Sequence, residues 1–107
     1  MDQYTYEGII KLLRKYVGEI NKKFKIEKAI LFGSRARGDA LNTSDVDLIL
    51  ISKDFQNLHF RKRMAIVLEG WDADLDIEVL CYTPGEFERK KKEIGIIRTA
   101  VEEGIEI

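Results

Sequence analysis

The stretch from residue 29 to residue 51 reads AILFGSRARGDALNTSDVDLILI and contains two apolar runs separated by a polar segment. Residues 28–34 form the first run, which predicts a buried strand ending at a glycine. Residues 45–52 form the second, and their alternation predicts another strand. Between them, residues 35–39 predict a turn or a single helical turn, and residues 41–44 a polar loop. The stretch therefore predicts two strands whose polar ends lie near one another.

Two aspartates begin the second strand. Asp45 and Asp47 are two residues apart, so both carboxylates leave the strand on one side, with Cα atoms about 6.6 Å apart. Magnesium prefers hard oxygen ligands and is typically held by one or two carboxylates together with substrate phosphates. Neighbouring carboxylates also repel one another, which costs stability unless a cation is present. The pair therefore predicts a site for one or two magnesium ions.

A third carboxylate is expected from the strand predicted at about residues 74–82. A two-metal site clamps the attacking and leaving oxygens of an in-line displacement, and a further acid positions the metal that activates the incoming hydroxyl. Asp74, Asp76 and Glu78 share one face of that strand. Asp76 is the first choice because it lies deepest while still adjacent to the strand's entry, and Glu78 is the second.

The end of the first strand has the residues of a phosphate-binding turn. Gly33 lets the backbone approach a phosphate closely, and the N–H groups that follow it point outward where the chain turns. The Ser34 hydroxyl is suited to donate to a terminal phosphate oxygen. Arg35 and Arg37 are placed either to neutralise triphosphate charge or to pair with acidic neighbours, and the sequence leaves both roles open.

The remaining segments are mainly helical. Residues 5–24 and 58–70 have apolar side chains at helical spacing, and Thr83, Pro84 and Glu86 form the start signal of a last helix. The expected core face of that helix consists of Phe87, Ile94, Ile97 and Val101, with a possible kink at Gly95. Helices alternating with strands in this order predict a single α/β (α+β) domain over residues 1–107, a two-layer fold with a small mixed sheet covered by helices.

Composition excludes several classes of partner. The 107 residues include 18 basic and 19 acidic side chains, and the net charge of −1 gives no general attraction to nucleic acid or anionic membranes. No apolar run is long enough to span a bilayer, and no signal peptide opens the chain, so a cytoplasmic location is expected. The single cysteine, Cys81, is expected to be a small buried hydrophobe. Tyr4 and Tyr6 are a candidate surface for homo-oligomer formation.

Three motifs together resemble those of the DNA polymerase beta-like nucleotidyltransferase superfamily. They are the runs 33–38, GSRARG, 44–48, SDVDL, and 82–87, YTPGEF. The chain looks specifically like a minimal nucleotidyltransferase, a small prokaryotic protein in which the catalytic core stands alone. The resemblance covers nearly the whole sequence.

The resemblance implies a role for each motif residue. In the family, the two aspartates of the Asp-x-Asp motif bind magnesium, a third carboxylate joins them, and the glycine–serine turn holds the triphosphate. Here those roles fall on Asp45, Asp47, Asp76, Gly33 and Ser34, with ATP as the substrate. The resemblance also implies a partner, a small helical HEPN-type toxin that receives AMP on a tyrosine and is thereby neutralised.

Two other functions are consistent with parts of the sequence. A non-catalytic antitoxin would bind and occlude its partner without using ATP. A nucleic-acid-modifying or nucleic-acid-binding module is disfavoured by the net charge and by the lack of room for a template-binding domain in 107 residues. The intact glycine–serine and Asp-x-Asp motifs favour nucleotide chemistry over both.

Overall fold

The computed structural model describes residues 5–37 and 45–107. The predicted loop at 41–44 and the end of the predicted turn at 35–39 lie outside these residues. The elements in chain order are α1 (Tyr6–Ile20), β1 (Lys28–Phe32), α2 (Ser34–Arg37), β2 (Val46–Ile51), a 3-10 turn (Lys53–Phe55), α3 (Phe60–Leu68), β3 (Ile77–Tyr82), α4 (Pro84–Lys92), α5 (Ile96–Glu103) and β4 (Ile105–Glu106).

The described strands form one mixed sheet in the order β3-β2-β1-β4. β1 pairs antiparallel with both β2 and β4, whereas β2 and β3 are parallel. The parallel pair is joined by a crossover that includes α3, as parallel strands require. The predicted mixed sheet covered by helices is therefore confirmed.

Helices pack on both faces of the sheet, and not on one face as in the predicted two-layer arrangement, because β1 and β2 are apolar on both faces. Leu48 and Leu50 belong to the core formed with α1 and α3. Ile49 and Ile51 belong to a second cluster, formed with α4 and α5. Successive strand residues point to opposite faces, so Asp45 and Asp47 are in phase with Ile49 on the α4–α5 face.

The last helix starts as predicted but is two helices. Thr83 and Glu86 form the capping box at the start of α4, and Phe87 and Ile97 are buried. Between α4 and α5, Gly95 has φ 155° and ψ −164°, a conformation that is essentially restricted to glycine. The break resets the helical phase, so the predicted core positions Ile94 and Val101 were wrong: they are 92% and 44% exposed.

His59 and Cys81 have well-defined positions in the fold. His59 is the N-cap of α3, where its Nδ1 accepts a hydrogen bond from the Arg61 N–H at 3.1 Å. Cys81 is fully buried, and burial raises the pKa of its thiol to about 12. Within the described parts of the chain, no helix combines the length and apolar character needed to cross a membrane.

Candidate active site at the start of β2

The antiparallel pairing of β1 and β2 brings the glycine–serine turn to Asp47, the aspartate of β2. Phe32, the last residue of β1, is opposite Asp47. Gly33 follows with φ +77°, and its carbonyl accepts hydrogen bonds from the N–H groups of Ala36 and Arg37 at 3.1 and 3.2 Å. The chain therefore turns directly from the strand into α2, beside the Asp47 side chain.

Gly33 and Asp47 approach so closely that only glycine fits. A Cβ atom built on Gly33 would lie 2.4 Å from Oδ2 of Asp47, well inside van der Waals contact. The positive φ independently disfavours any side chain at this position. The structure thus brings together two of the predicted site residues, one from the proposed phosphate-binding turn and one from the proposed metal-binding pair.

The parallel pairing of β2 and β3 adds a second carboxylate beside Asp47. Glu78 is directly opposite Asp47 in the register of the two strands. Paired residues of neighbouring strands project to the same side of a sheet, and such strands lie about 4.8 Å apart. Asp47 and Glu78 therefore share a face, with Asp45 preceding them at the start of β2.

The charges at this end of the sheet repel one another. The pKa of Asp47 is raised first by burial, then by the Glu78 carboxylate and the Asp45 carboxylate. Ionised Asp47 is thus disfavoured by its surroundings unless a cation is nearby. A divalent cation held by these carboxylates would remove the repulsion, so the chemistry of the donor set fits magnesium.

Asp76, the first choice for the third carboxylate, lies just before β3 and not within it. Its backbone carbonyl accepts a hydrogen bond from the Val46 N–H at 2.9 Å, which fixes it beside the start of β2. Its side chain is exposed, as is that of Glu78. The register of the two strands places Glu78 opposite Asp47, whereas Asp76 lies two residues earlier, before β3 begins.

The described residues, 5–37 and 45–107, contain no cluster of three or more His, Cys, Asp or Glu side chains arranged to hold a metal ion by themselves. Magnesium sites that act on nucleotides do not require such a cage, because substrate phosphates and water complete the coordination. Asp45 and Asp47 therefore fit a magnesium ion that is also bound by substrate phosphates.

The remaining predicted residues occupy α2. Ser34 is its first residue, and the initial N–H groups of a helical turn have no acceptor within the helix. Arg35 is 6% exposed. Arg37 lies at the surface, where its Nη1 is 3.6 Å from Oε2 of Glu103 in α5, so one of the two roles left open for it, pairing with an acidic neighbour, is present.

Glu103 was not among the residues predicted from sequence. It is held near the site because the next residue, Gly104, packs tightly: a Cβ there would lie 2.6 Å from Cγ2 of Ile30 and 3.0 Å from the Leu31 carbonyl. The following residues pair with β1 as β4. A two-residue strand has no recognisable periodicity, so nothing in the local sequence indicated this contact.

With the geometry established, comparison with known proteins decides the family. Residues 10–107 match the sequence profile of the nucleotidyltransferase domain. The chain belongs to this nucleotidyltransferase family. The resemblance inferred from the glycine–serine and Asp-x-Asp motifs is therefore confirmed, and with it the assignment of the protein as a nucleotidyltransferase enzyme.

Individual relatives agree with the family match. A Methanocaldococcus jannaschii protein named "putative protein adenylyltransferase" is 31% identical over 71 residues, which span 64% of this nucleotidyltransferase and 72% of the relative. A second protein so named from the same organism is 37% identical over 46 residues, 43% of this chain and about half, 47%, of the relative. A Sulfolobus solfataricus crystal structure described as a "putative nucleotidyltransferase" has 32% identity and a TM-score of 0.64, and covers 79% of this chain and 76% of that one.

Proposed function

We propose that this nucleotidyltransferase transfers AMP from ATP to a hydroxyl group of another protein, in a reaction that requires magnesium. The observation that carries the proposal is the contact between Gly33 and the Asp47 carboxylate. A glycine turn that leads into the first N–H groups of a helical turn directly adjoins a carboxylate that is destabilised without a cation. A metal-bound triphosphate satisfies both features at once.

The chain's own residues then have distinct tasks. Asp45 and Asp47 hold the metal ions, which when bound neutralise the triphosphate and promote ionisation of the acceptor hydroxyl. Gly33 and the Ser34 hydroxyl position the terminal phosphates, with Arg35 and Arg37 as cationic neighbours. The acceptor hydroxyl loses its proton to solvent and its oxygen bonds to the α-phosphorus. The bond from that phosphorus to the oxygen bridging to the β-phosphate breaks, and pyrophosphate leaves with the electron pair.

A third carboxylate would join Asp45 and Asp47 at the metal site. Together with Asp47, it would hold the metal that promotes ionisation of the acceptor hydroxyl. Asp76 was the sequence-based choice, and Glu78 now has the stronger structural support because it is opposite Asp47 and contributes to its raised pKa. The substitutions Glu78→Gln and Asp76→Asn separate the two assignments.

For the acceptor, we favour a tyrosine of a HEPN-type partner toxin, which would make the protein a cytoplasmic antitoxin. Support comes from the family resemblance and from the names of the M. jannaschii relatives, which specify a protein as the substrate for adenylylation. Adenylylation of a catalytic or binding tyrosine adds a bulky anionic group, which is a direct way to inactivate a partner.

The experiment uses ATP labelled either at the α- or at the γ-phosphate, with magnesium and a HEPN-type protein. The proposal predicts that α-label, and not γ-label, becomes attached to a partner tyrosine. Transfer of γ-label would indicate a kinase. Tight complex formation without any label transfer, unaffected by ATP, would instead identify the protein as a non-catalytic antitoxin.

A further inference from the structure

A groove lies at the end of the sheet opposite the carboxylates. It consists of two cavities of about 530 and 580 Å³ that share Arg63, Glu86 and Arg89. Lys53, just after β2, lines one cavity, and Tyr82, the last residue of β3, lines the other. At about 3.3 Å per strand residue, this distal groove is roughly 20 Å from the start of β2. It is therefore separate from the proposed active site.

The floor of the distal groove is a fixed, electrically neutral ion pair. Arg63 is bonded to Glu86 at two points, Nη1 to Oε1 at 2.6 Å and Nη2 to Oε2 at 3.2 Å. The same guanidinium donates to the carbonyls of Cys81 and Leu58 at 3.1 and 3.0 Å. Because its donors are used in this way, Arg63 shapes the groove but does not supply its charge.

The walls of the distal groove carry the excess charge. Lys53, Arg89 and Lys90 are exposed, and across residues 5–37 and 45–107 no carboxylate lies within ion-pair distance of their side chains. With Arg63 there are four cationic lining residues against two carboxylates, Glu86 and Glu93, an excess of two positive charges. The groove is therefore positively charged, although the whole chain has a net charge of −1.

Two aromatic rings adjoin these cations. Phe60 and Tyr82 line the same cavity as Arg89 and Lys90, their centroids are 5.8 Å apart, and Phe60 is 36% exposed. In the sequence, the two basic runs at residues 61–63 and 90–92 contain no aromatic residue. The fold brings together the two components, cationic walls and accessible rings, by which proteins hold bases and phosphates of unpaired nucleotides.

We propose that the distal groove binds nucleotide units, an aromatic base joined to phosphate, supplied either by a single-stranded nucleic acid or by a free nucleotide. The phosphates lie against Arg89, Lys90 and Lys53, and a base lies against the Phe60 ring. An acidic peptide would use the cations but not the rings. Each cavity is within the size range of small-ligand pockets.

The test uses a fluorescein-labelled octauridylate and measures anisotropy at low salt in EDTA. Chelation removes magnesium from the proposed active site, so the outcome is independent of whether the protein transfers AMP. We expect saturable binding that Arg89→Glu weakens by at least about tenfold, with a shallower salt dependence, by about 0.7 in the log–log slope for each phosphate that the variant no longer neutralises. Lys11→Glu, the same charge change on the exposed face of α1, is the matched control.

Phe60→Ala keeps the cations and removes the ring. It is expected to weaken binding while leaving the salt dependence unchanged, and thermal unfolding verifies that each variant is folded. Displacement by AMP at equal nucleotide concentration identifies a free nucleotide as the ligand, and its absence identifies a strand. The proposal is overturned by a lack of binding, by equal effects of Arg89→Glu and Lys11→Glu, or by equally effective displacement with an octaglutamate peptide.

Discussion

Gly33 lies against the carboxylate of Asp47, with room for a hydrogen but not for a methyl group between its Cα and Oδ2. The contact joins the turn after β1 to the first residues of β2, and it exists because Phe32 and Asp47 are register partners. It couples the proposed phosphate-binding backbone to the proposed metal ligand, so that displacement of one displaces the other.

Gly33→Ala should therefore impair both folding and transfer. The new Cβ would clash with Asp47, and the φ of +77° is strained for alanine, so we expect a loss of about 2 kcal/mol in the free energy of unfolding. AMP transfer should fall by a factor of about a hundred or more, because a displacement of about 1 Å in a catalytic group has this effect. Chemical denaturation and initial rates measure the two quantities.

The matched control is Gly18→Ala in α1, where a Cβ would meet nothing within 4 Å. Alanine in a helix interior is more favourable than glycine by about 0.5–1 kcal/mol, so this variant should be more stable and equally active. Equal activity of the Gly33→Ala variant and the wild type would show that the turn does not approach the nucleotide.

Asp47→Asn should stabilise the protein when magnesium is absent. The folded pKa of Asp47 is raised by burial and by its two acidic neighbours, so ionised Asp47 opposes folding above that pKa. This cost disappears as the pH falls below the pKa that Asp47 has in the unfolded chain. At neutral pH in EDTA we expect the variant's Tm to be higher by about 2–4 °C, a figure reduced for partial solvent exposure.

With metal and nucleotide present, the difference in Tm should reverse, so that the wild type is more stable than the Asp47→Asn variant. Ligands that bind only the folded state raise its stability, so magnesium with a non-hydrolysable ATP analogue should raise the Tm of the wild type. The Asp47→Asn variant should show little of this increase. A wild-type Tm that does not respond to magnesium, or an equal response of both proteins, would contradict the metal-binding role.

Glu78→Gln and Asp76→Asn separate the two candidates for the third carboxylate. Glu78 is opposite Asp47, whereas Asp76 contributes a backbone carbonyl to the Val46 N–H, and that carbonyl is retained in the asparagine variant. We expect Glu78→Gln to lower kcat by about a hundredfold or more and Asp76→Asn to have a much smaller effect. The opposite ranking would restore Asp76, the residue that the sequence favours.

The ion pair between Arg63 and Glu86 should make the protein sensitive to acid. The hydrogen bonds from Arg63 lower the pKa of Glu86 in the folded protein. The pair therefore stabilises the fold at pH values above the pKa of Glu86 in the unfolded chain, and this stabilisation is lost as the pH falls through its pKa in the folded protein. Glu86→Gln should cost about 1–3 kcal/mol at neutral pH, since it leaves a buried guanidinium without its counter-charge.

The difference between Glu86→Gln and wild type should vanish in acid, as measured by urea denaturation across pH. Glu88→Gln is the matched control: its partner Lys91 is at the surface, and such pairs contribute at most about 1 kcal/mol. Equal losses for the two variants would show that burial of Arg63 is not the source of the effect.

Residues 29–51 were sufficient to predict the central part of the fold because strand alternation and a glycine turn are local properties. The same stretch predicted Gly33, Asp45 and Asp47 as neighbours. The choice between Asp76 and Glu78 depended on the register between two strands, which side-chain alternation alone does not specify. Ile94 was misplaced because the predicted last helix is two helices: α4 ends at Lys92 and Gly95 is the N-cap of α5, so the helix is broken and not kinked.

Contacts between distant segments could not be predicted at all. Glu103 reaches Arg37 only because a two-residue strand pairs with β1. Phe60 and Tyr82 meet because α3 and the end of β3 pack side by side. Both relationships depend on tertiary packing, and neither leaves a periodic pattern in the sequence.

The most direct test of the proposed mechanism is the rate at which α-labelled ATP labels a HEPN-type partner protein, measured for wild type, Asp47→Asn and Asp72→Asn. Asp72 is an exposed aspartate before β3 that has no proposed role, so its variant controls for the loss of one carboxylate. We predict magnesium-dependent labelling by wild type and Asp72→Asn, with labelling by Asp47→Asn reduced at least about a thousandfold. Undiminished labelling by Asp47→Asn would contradict the assignment of this carboxylate to the catalytic metal site.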